Sequence, residues 1–201
     1  NATNCLAPRD PIERLRANED LAYVGGANQM TVTQAWILAG RPTPGDKADH
    51  RGNPVEALQQ ELDTLVESGA LNPYRVFASP DEAAKEVLNL TAPLSNEHGL
   101  EVGGNIWKSE RGWRYTMPHI GGSHSVKLSA SNIGYHTHPH GDLFFSNKVT
   151  ELTGDSVWVE SARKPLYLGV QNGGSVKIGV CEPGSCPHYG QFGTPPSRVI
   201  Q

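Results

Sequence analysis

The sequence has few cysteines, no long hydrophobic run and no excess of positive charge. Its 201 residues carry 17 Lys and Arg against 21 Asp and Glu, which gives a net charge of −4. This balance gives no electrostatic reason to expect a nucleic acid or an anionic membrane as partner. No apolar stretch approaches the roughly 18 residues of a membrane-spanning helix, so we expect no membrane insertion. No signal-peptide pattern is visible at the start, as expected of a mature or excised fragment.

Cysteine usage is low and the count is odd. The chain has 3 cysteines, Cys5, Cys181 and Cys186, so any intramolecular pairing leaves one thiol over. The segment between the last two has a turn-like composition, which is compatible with a short disulfide. Reduced thiols, or a metal site that includes His188, are the alternatives.

The first part of the chain, residues 1–75, is predicted to be a helical N-terminal extension. Helices are indicated over 10–23 and 31–39 by proline or threonine starts and glycine ends. The clearest helix begins at Asn53-Pro54 and ends at Gly69, because its apolar residues recur at helical spacing.

The second part, residues 76–201, is predicted to form one α+β domain. Ser79-Pro80 begins a helix through Leu88, and Ser146 caps a short helix that ends at Gly154. Strands are predicted over 100–107, 112–117, 125–129, 132–138, 156–160, 165–170 and 175–180. The segment 172–174 predicts a hairpin turn, and the tail from Cys181 is expected to be irregular. The fold class is therefore a mostly antiparallel sheet flanked by helices, with an N-terminal helical portion.

The segment Tyr135-His-Thr-His-Pro139 carries most of the chemical information. Side chains alternate along a strand, so His136 and His138 point to the same face. Two nitrogen ligands on one face suit a divalent metal ion such as zinc. Pro139 then ends the strand, since proline cannot donate to a β-ladder.

Glu101 is the best candidate for a general base, because it lies in a strand whose glycines allow close backbone approach. A glutamate beside an activated water can take its proton and pass it on. The alternative is a solvent-facing strand glutamate. His119 and His124 flank a glycine turn, and one of them could join the site if the turn folds over the strand.

The spacing of these residues resembles the JAB/MPN metalloprotease motif. That motif has a glutamate on an earlier strand, then His-x-His-Pro, a short spacer and Ser-x-x-Asp. The resemblance covers roughly residues 77–180 and implies His136 and His138 as zinc ligands. It also implies that Glu101 activates water and that Ser146 helps to hold the oxyanion.

A narrower resemblance connects the chain with C-terminal domains of Rhs-type and related bacterial polymorphic toxins. It is carried by Phe77–Ala84, Glu101–Gly104, Tyr135–His138, Phe145-Ser146 and Leu166–Gly169. The resemblance implies an antibacterial effector that is secreted or delivered into a target cell. A cognate immunity protein and an unknown target in the recipient cell would then be its partners.

One position departs from the peptidase motif. The aspartate expected three places after Ser146 is Val149, which cannot bind zinc. We therefore expect the third ligand to be Asp142, which fits the strand phase. The alternatives, which leave this assignment open, are His140, Glu151 and Asp155.

The function expected of the chain depends on whether a third metal ligand is present. With a third ligand, the chain is expected to be a metal-dependent hydrolase of amide or isopeptide bonds. Without one, the two histidines could act as acid and base, or the chain could be a non-catalytic interaction module with a degenerate site. A cupin-like metal-binding protein is a further alternative, disfavoured because the second cupin histidine motif is absent after residue 142.

Overall fold

A computed structural model describes residues 53–146, 154–186 and 193–201 of the chain. The helices predicted over 10–23 and 31–39 lie outside the described residues, as does the short helix predicted between Ser146 and Gly154. The boundary proposed at residue 75 therefore stays a prediction. Within the described part, the residues before this boundary pack onto the same core as those after it.

Two helices begin where the capping residues predict. Helix α1 (Pro54–Glu67) starts at Asn53, whose side chain accepts a hydrogen bond from the Val55 N–H at 3.1 Å. Helix α2 (Pro80–His98) starts at Ser79 and ends at Gly99, whose φ of 69° suits a glycine. The predicted end of α2 at Leu88 was wrong. The helix continues because small buried residues keep its inner face against the sheet, namely Thr91, Ala92 and Ser95.

The described strands form one open sheet, which confirms the α+β class with mostly antiparallel pairing. The strands are β1 (Val102–Ser109), β2 (Gly112–Tyr115), β3 (His119–Ile120), β4 (Ile133–His138), β5 (Leu166–Asn172), β6 (Ser175–Cys181) and β7 (Arg198–Val199). Their order in the sheet is β2-β1-β4-β5-β6-β7, with β3 paired to β1. Only β4 and β5 are parallel among these pairs, and helix α3 (Asp155–Ala162) lies between them in the chain.

The structure has no strand at two of the predicted positions, 156–160 and 125–129. The segment 156–160 lies in α3, which buries Ser156 and Val159 at helical spacing, although its alternating valines fit a strand pattern. The segment 125–129 forms no ladder. Its backbone is held instead by the Asn105 side chain, which donates to the Ser129 carbonyl at 2.9 Å.

The last part of the chain is more ordered than its composition suggests. The predicted hairpin between β5 and β6 is confirmed, with Asn172 opposite Ser175 and Gly173 at a φ of 60°. Cys181 and Cys186 form a disulfide with a Cα–Cα distance of 5.4 Å. The tail, predicted to be irregular, contributes β7 to the sheet edge.

The two faces of the sheet carry separate apolar clusters. One face packs against α2, and α1 packs on α2 in turn, so that residues such as Leu62, Val87 and Tyr135 share one cluster. The other face packs against α3 through residues such as Val159 and Leu168. Alternation along β4 directs Tyr135 to the first face and His136 and His138 to the second. No helix in the described ranges has both the length and the apolar content to span a membrane.

Candidate metal centre and cavity

The histidine pair lies where β1 and β4 meet. The antiparallel register pairs Gly103 with His136, and its continuation places Glu101 opposite His138. The two imidazoles approach each other at 3.1 Å between their Nε2 atoms. His136 is 1 % exposed, and its Nδ1 lies 3.1 Å from the Tyr167 carbonyl oxygen. A proton on Nδ1 that donates to this carbonyl leaves Nε2 as the ligand atom.

Asp155 completes this group from the first turn of α3. One carboxylate oxygen lies 3.3 Å from His136 Nε2, and the other lies 3.2 Å from His138 Nε2. Ligand atoms of these three residues all lie within 4.8 Å of one another. Asp155, one of the alternative third ligands predicted from the sequence, therefore lies beside both histidines.

Ser146 holds Asp155 in this position. The Ser146 N–H donates to Asp155 Oδ2 at 2.7 Å, and the Asp155 N–H donates to Ser146 Oγ at 3.0 Å. The Ser156 N–H also donates to the Ser146 carbonyl at 3.1 Å. Ser146 thus caps the start of α3 in space, although the two segments are not adjacent in sequence.

Glu101 lies at the edge of the same group. Its Oε1 is 4.0 Å from His138 Nε2, and the residue is 7 % exposed. The Glu101 N–H donates to the Gly122 carbonyl, and the Gly121 N–H donates to the Glu101 carbonyl, both at 2.8 Å. Burial raises the pKa of Glu101, and the positive charge of the nearby histidines only partly opposes this. A carboxyl with a raised pKa is suited to exchange protons with a substrate.

The charges of the aspartate and the histidines stabilise each other. Burial alone would raise the pKa of Asp155, but the charges of His136 and His138 and their hydrogen bonds hold it well below its usual value. Burial by itself would lower the pKa of His136. The nearby Asp155 carboxylate has the larger effect, so the pKa of His136 is raised. Asp155 is therefore a carboxylate at neutral pH, the form that binds a cation.

The donor set of two imidazoles and one carboxylate suits a zinc ion. Tetrahedral zinc with bonds of about 2.0–2.1 Å to nitrogen and oxygen requires neighbouring ligand atoms roughly 3.3 Å apart. The two Nε2 atoms are 3.1 Å apart, and each lies 3.2–3.3 Å from a different oxygen of Asp155. Two imidazoles and one carboxylate also leave a fourth position for water or substrate, as in catalytic zinc sites.

The other predicted residues occupy different places. Asp142 and His140 are exposed and line the cavity, but neither belongs to the group of converging ligand atoms among the described residues. Glu151 and Val149 lie outside the described residues. The geometry therefore favours Asp155 over Asp142, and the ligand assignment stays a prediction. Of the two histidines at the glycine turn, His124 lines the cavity.

The cavity in front of the group has a volume of about 820 Å³. Its lining includes the ligand group and its neighbours, namely Glu101, His136, His138, Ser146 and Asp155. Sequence reasoning missed its apolar lining, which includes Val126, Leu128 and Trp158. The signal is the hydrophobic residues of 125–129 and 156–160, two segments whose pattern predicts strands. Their place beside the histidines depends on a loop and a helix that the sequence did not indicate.

Comparisons with protein-family models, with curated proteins and with solved structures found no match for this chain. Any functional conclusion therefore depends on the chemistry of the site itself. That chemistry defines a class of protein, one with a partly buried His-His-Asp group and an adjacent carboxyl in an open cavity.

Proposed function

We propose that this chain is a metal-dependent hydrolase that cleaves an amide or isopeptide bond on a JAB/MPN-like core. The observation that carries the proposal is the convergence of His136, His138 and Asp155, with the Glu101 carboxyl 4.0 Å from one imidazole. His136, His138 and Asp155 would hold a zinc ion, and Glu101 would accept and donate protons. The resemblance of the segment around His136 to the peptidase motif supports the same conclusion.

The chemistry that zinc supplies when bound is polarisation of the scissile carbonyl and a lower pKa for the attacking water. Glu101 accepts a proton from that water and delivers it to the departing nitrogen. The water oxygen first forms a C–O bond to the carbonyl carbon. The C–N bond then breaks as the nitrogen takes up this proton, so the amine leaves neutral. The buried position of Glu101 supports both transfers, since its raised pKa makes the protonated form accessible.

Ser146 has a double role in this proposal. Its Oγ accepts the hydrogen bond from the Asp155 N–H, which fixes the third ligand. A hydroxyl that accepts one hydrogen bond still carries a donor hydrogen, which can stabilise negative charge on the substrate oxygen. Ser146 would thereby position the third ligand and also stabilise the oxyanion.

Metal analysis of the purified chain tests the centre directly. We expect zinc close to one equivalent in the wild type and its loss in His136→Ala and Asp155→Ala. Asp142→Asn is the matched control, because this exposed carboxylate lies outside the converging group, and it should retain zinc. Zinc lost from Asp142→Asn but retained by Asp155→Ala would overturn the ligand assignment.

We further propose that this hydrolase acts as an antibacterial effector with a cognate immunity protein. The support is the resemblance to C-terminal toxin domains together with the candidate centre. Expression in a bacterial cytoplasm should arrest growth, and Glu101→Gln should abolish the arrest while zinc content stays unchanged. Toxicity that survives both His136→Ala and Glu101→Gln would place the active chemistry elsewhere.

The two alternative functions have less support. A cupin-like protein would close its strands into a small barrel, whereas the described sheet is open, with β2 and β7 at its ends. The interaction module was favoured mainly by the valine at position 149. A carboxylate from Asp155 now lies beside both histidines, so this valine no longer indicates a degenerate site.

A further inference from the structure

Two glycines open the sheet surface next to the histidines. Gly134 precedes His136 by two places on β4 and therefore faces the same side. Gly103 is the cross-strand partner of His136 on β1. Because glycine has no side chain, only backbone atoms form the sheet surface at these two positions.

Apolar side chains from three other segments fill the space above these glycines. A Cβ on Gly134 would lie 2.8 Å from Leu166 Cδ1, 3.0 Å from Trp158 Cη2 and 3.1 Å from Leu128 Cδ1. A Cβ on Gly103 would lie 3.0 Å from both Leu128 Cδ2 and Val126 Cγ1. These side chains lie directly on the strand backbone and form an apolar floor beside the imidazoles. We define the apolar floor as Val126, Leu128, Trp158 and Leu166.

The apolar floor faces the cavity rather than being sealed from it. All four of its residues line the same cavity as the His-His-Asp group, and three of them are only half-buried. Phe144, which is 46 % exposed, lines this cavity as well. The hydrophobic surface is therefore continuous with the candidate metal centre.

The charges around the cavity select against an acidic group. The carboxylates that line it are Glu101, Asp142 and Asp155, and no Lys or Arg lines it in the described part of the chain. Away from the candidate zinc position, an acidic side chain would meet carboxylates with no Lys or Arg among the described lining residues. An apolar side chain would exchange water for hydrocarbon contacts.

We propose that the apolar floor is a substrate subsite that takes an apolar side chain adjacent to the scissile amide. This inference rests on the proposed hydrolase function and defines its substrate class, a peptide or conjugate with a bulky aliphatic residue at the cleaved bond. Val126, Leu128 and Trp158 are its specificity-determining residues. They act by contact with that side chain and not by contact with the reacting atoms.

Hydroxamates test the subsite without a known substrate, because the hydroxamate binds zinc and its substituent probes the neighbouring surface. The full chain is loaded with equimolar zinc, and calorimetry measures its affinity for three compounds. They are acetohydroxamate, 4-methylpentanohydroxamate and succinate monohydroxamate. We expect the branched aliphatic compound to bind at least roughly tenfold more tightly than acetohydroxamate, as burial of a leucine-sized group predicts. The succinate compound should gain nothing.

Matched variants locate the effect. Val126→Thr keeps the shape of the side chain, and Leu128→Asn keeps its approximate size, but each makes the floor more polar. Both should reduce the aliphatic preference severalfold and leave acetohydroxamate affinity unchanged, which also shows that the centre is intact. Val55→Thr, an exposed position on α1, is the control and should keep the full preference.

The outcomes separate this inference from the proposed function. If the zinc-loaded chain binds all three hydroxamates equally, the metal centre stands and the subsite is refuted. If it binds none of them, the proposed function fails, and the subsite fails with it. An aliphatic preference that Val126→Thr and Leu128→Asn leave untouched would also refute the assignment to this floor.

Discussion

Ser146 and Asp155 exchange two backbone-to-side-chain hydrogen bonds, of 2.7 and 3.0 Å, across a segment of intervening residues. This reciprocal pair brings the Asp155 carboxylate to both imidazoles from a position that the Ser-x-x-Asp spacing does not include. The serine and the aspartate are therefore in contact, although they are 9 residues apart in sequence.

This relationship predicts that Ser146→Ala weakens zinc binding. The variant loses the acceptor for the Asp155 N–H but keeps every ligand atom, so the aspartate should be less well fixed. Partners of metal ligands usually contribute about 10-fold to 100-fold in affinity, and we expect a loss near the lower value. Competition with a zinc chelator measures it, with the exposed Ser123→Ala as control. Equal affinities for wild type and Ser146→Ala would contradict the positioning role.

Gly134 is predicted to tolerate no side chain. A Cβ there would lie 2.8 Å from Leu166 Cδ1, so Gly134→Ala should destabilise the fold by about 1–3 kcal/mol through overpacking. Gly174→Ala is the matched control, because nothing lies within 4 Å of a Cβ at that position, and it should change stability by less than about 0.5 kcal/mol. Urea unfolding measures both. Similar midpoints for the two variants would be evidence against the close packing at Gly134.

The Cys181–Cys186 disulfide is predicted to stabilise the side of the sheet that carries the candidate centre. Both cysteines are buried in the cluster that contains Val159 of α3. The loop they close also donates the Gly184 N–H to Glu160 on α3 at 2.8 Å. Reduction, or the double change Cys181→Ser and Cys186→Ser, should lower the free energy of unfolding by about 2 kcal/mol.

Urea unfolding with and without dithiothreitol gives the measurement. The double variant should behave like the reduced wild type and should no longer respond to the reductant. Since α3 carries Asp155, zinc affinity should fall with stability. Identical unfolding midpoints in both redox states would show that the disulfide contributes nothing measurable.

Asp81 is predicted to make stability depend on acid pH. Arg198 donates to both Asp81 oxygens, at 2.6 and 2.8 Å, and these bonds lower the pKa of Asp81 below its ordinary value of 3.8. A lowered pKa means that the contribution is complete above 3.8 and is lost as the pH falls through the lower folded-state value.

Because Asp81 and Arg198 are both partly exposed, we expect a contribution of only about 1 kcal/mol. Asp81→Asn should therefore be less stable than wild type at pH 7, and the difference should shrink as the pH falls below about 4. Arg198→Gln should remove most of this pH dependence, and the hydrogen bond from the Tyr167 hydroxyl to Asp81 would retain a smaller part. Urea unfolding at several pH values checks this, and a difference that grows on acidification would reverse the assigned sign.

The histidine pair illustrates what could be predicted from local pattern. A strand with two histidines two places apart has to present both on one face, whatever the rest of the chain does. Cap residues such as Asn53 and Ser79 similarly set the starts of α1 and α2, because their side chains satisfy the first N–H groups of each helix.

Other features could not be read from local pattern. The valines of α3 alternate as in a strand, and the helix was missed because its start depends on bonds to Ser146, which is distant in sequence. Asp155 was accordingly ranked below Asp142 as a third ligand. The apolar floor was missed for the same reason, since its members come from three separate segments.

By itself the sequence determined the mixed fold class and the shared direction of His136 and His138, and it singled out Glu101, which lies directly before β1. These follow from periodicity and capping, which act over a few residues. Only the tertiary structure decided that Asp155 meets the imidazoles and that apolar side chains lie over Gly103 and Gly134. Such contacts join segments far apart in the chain, and they are set by packing on the sheet rather than by any local preference.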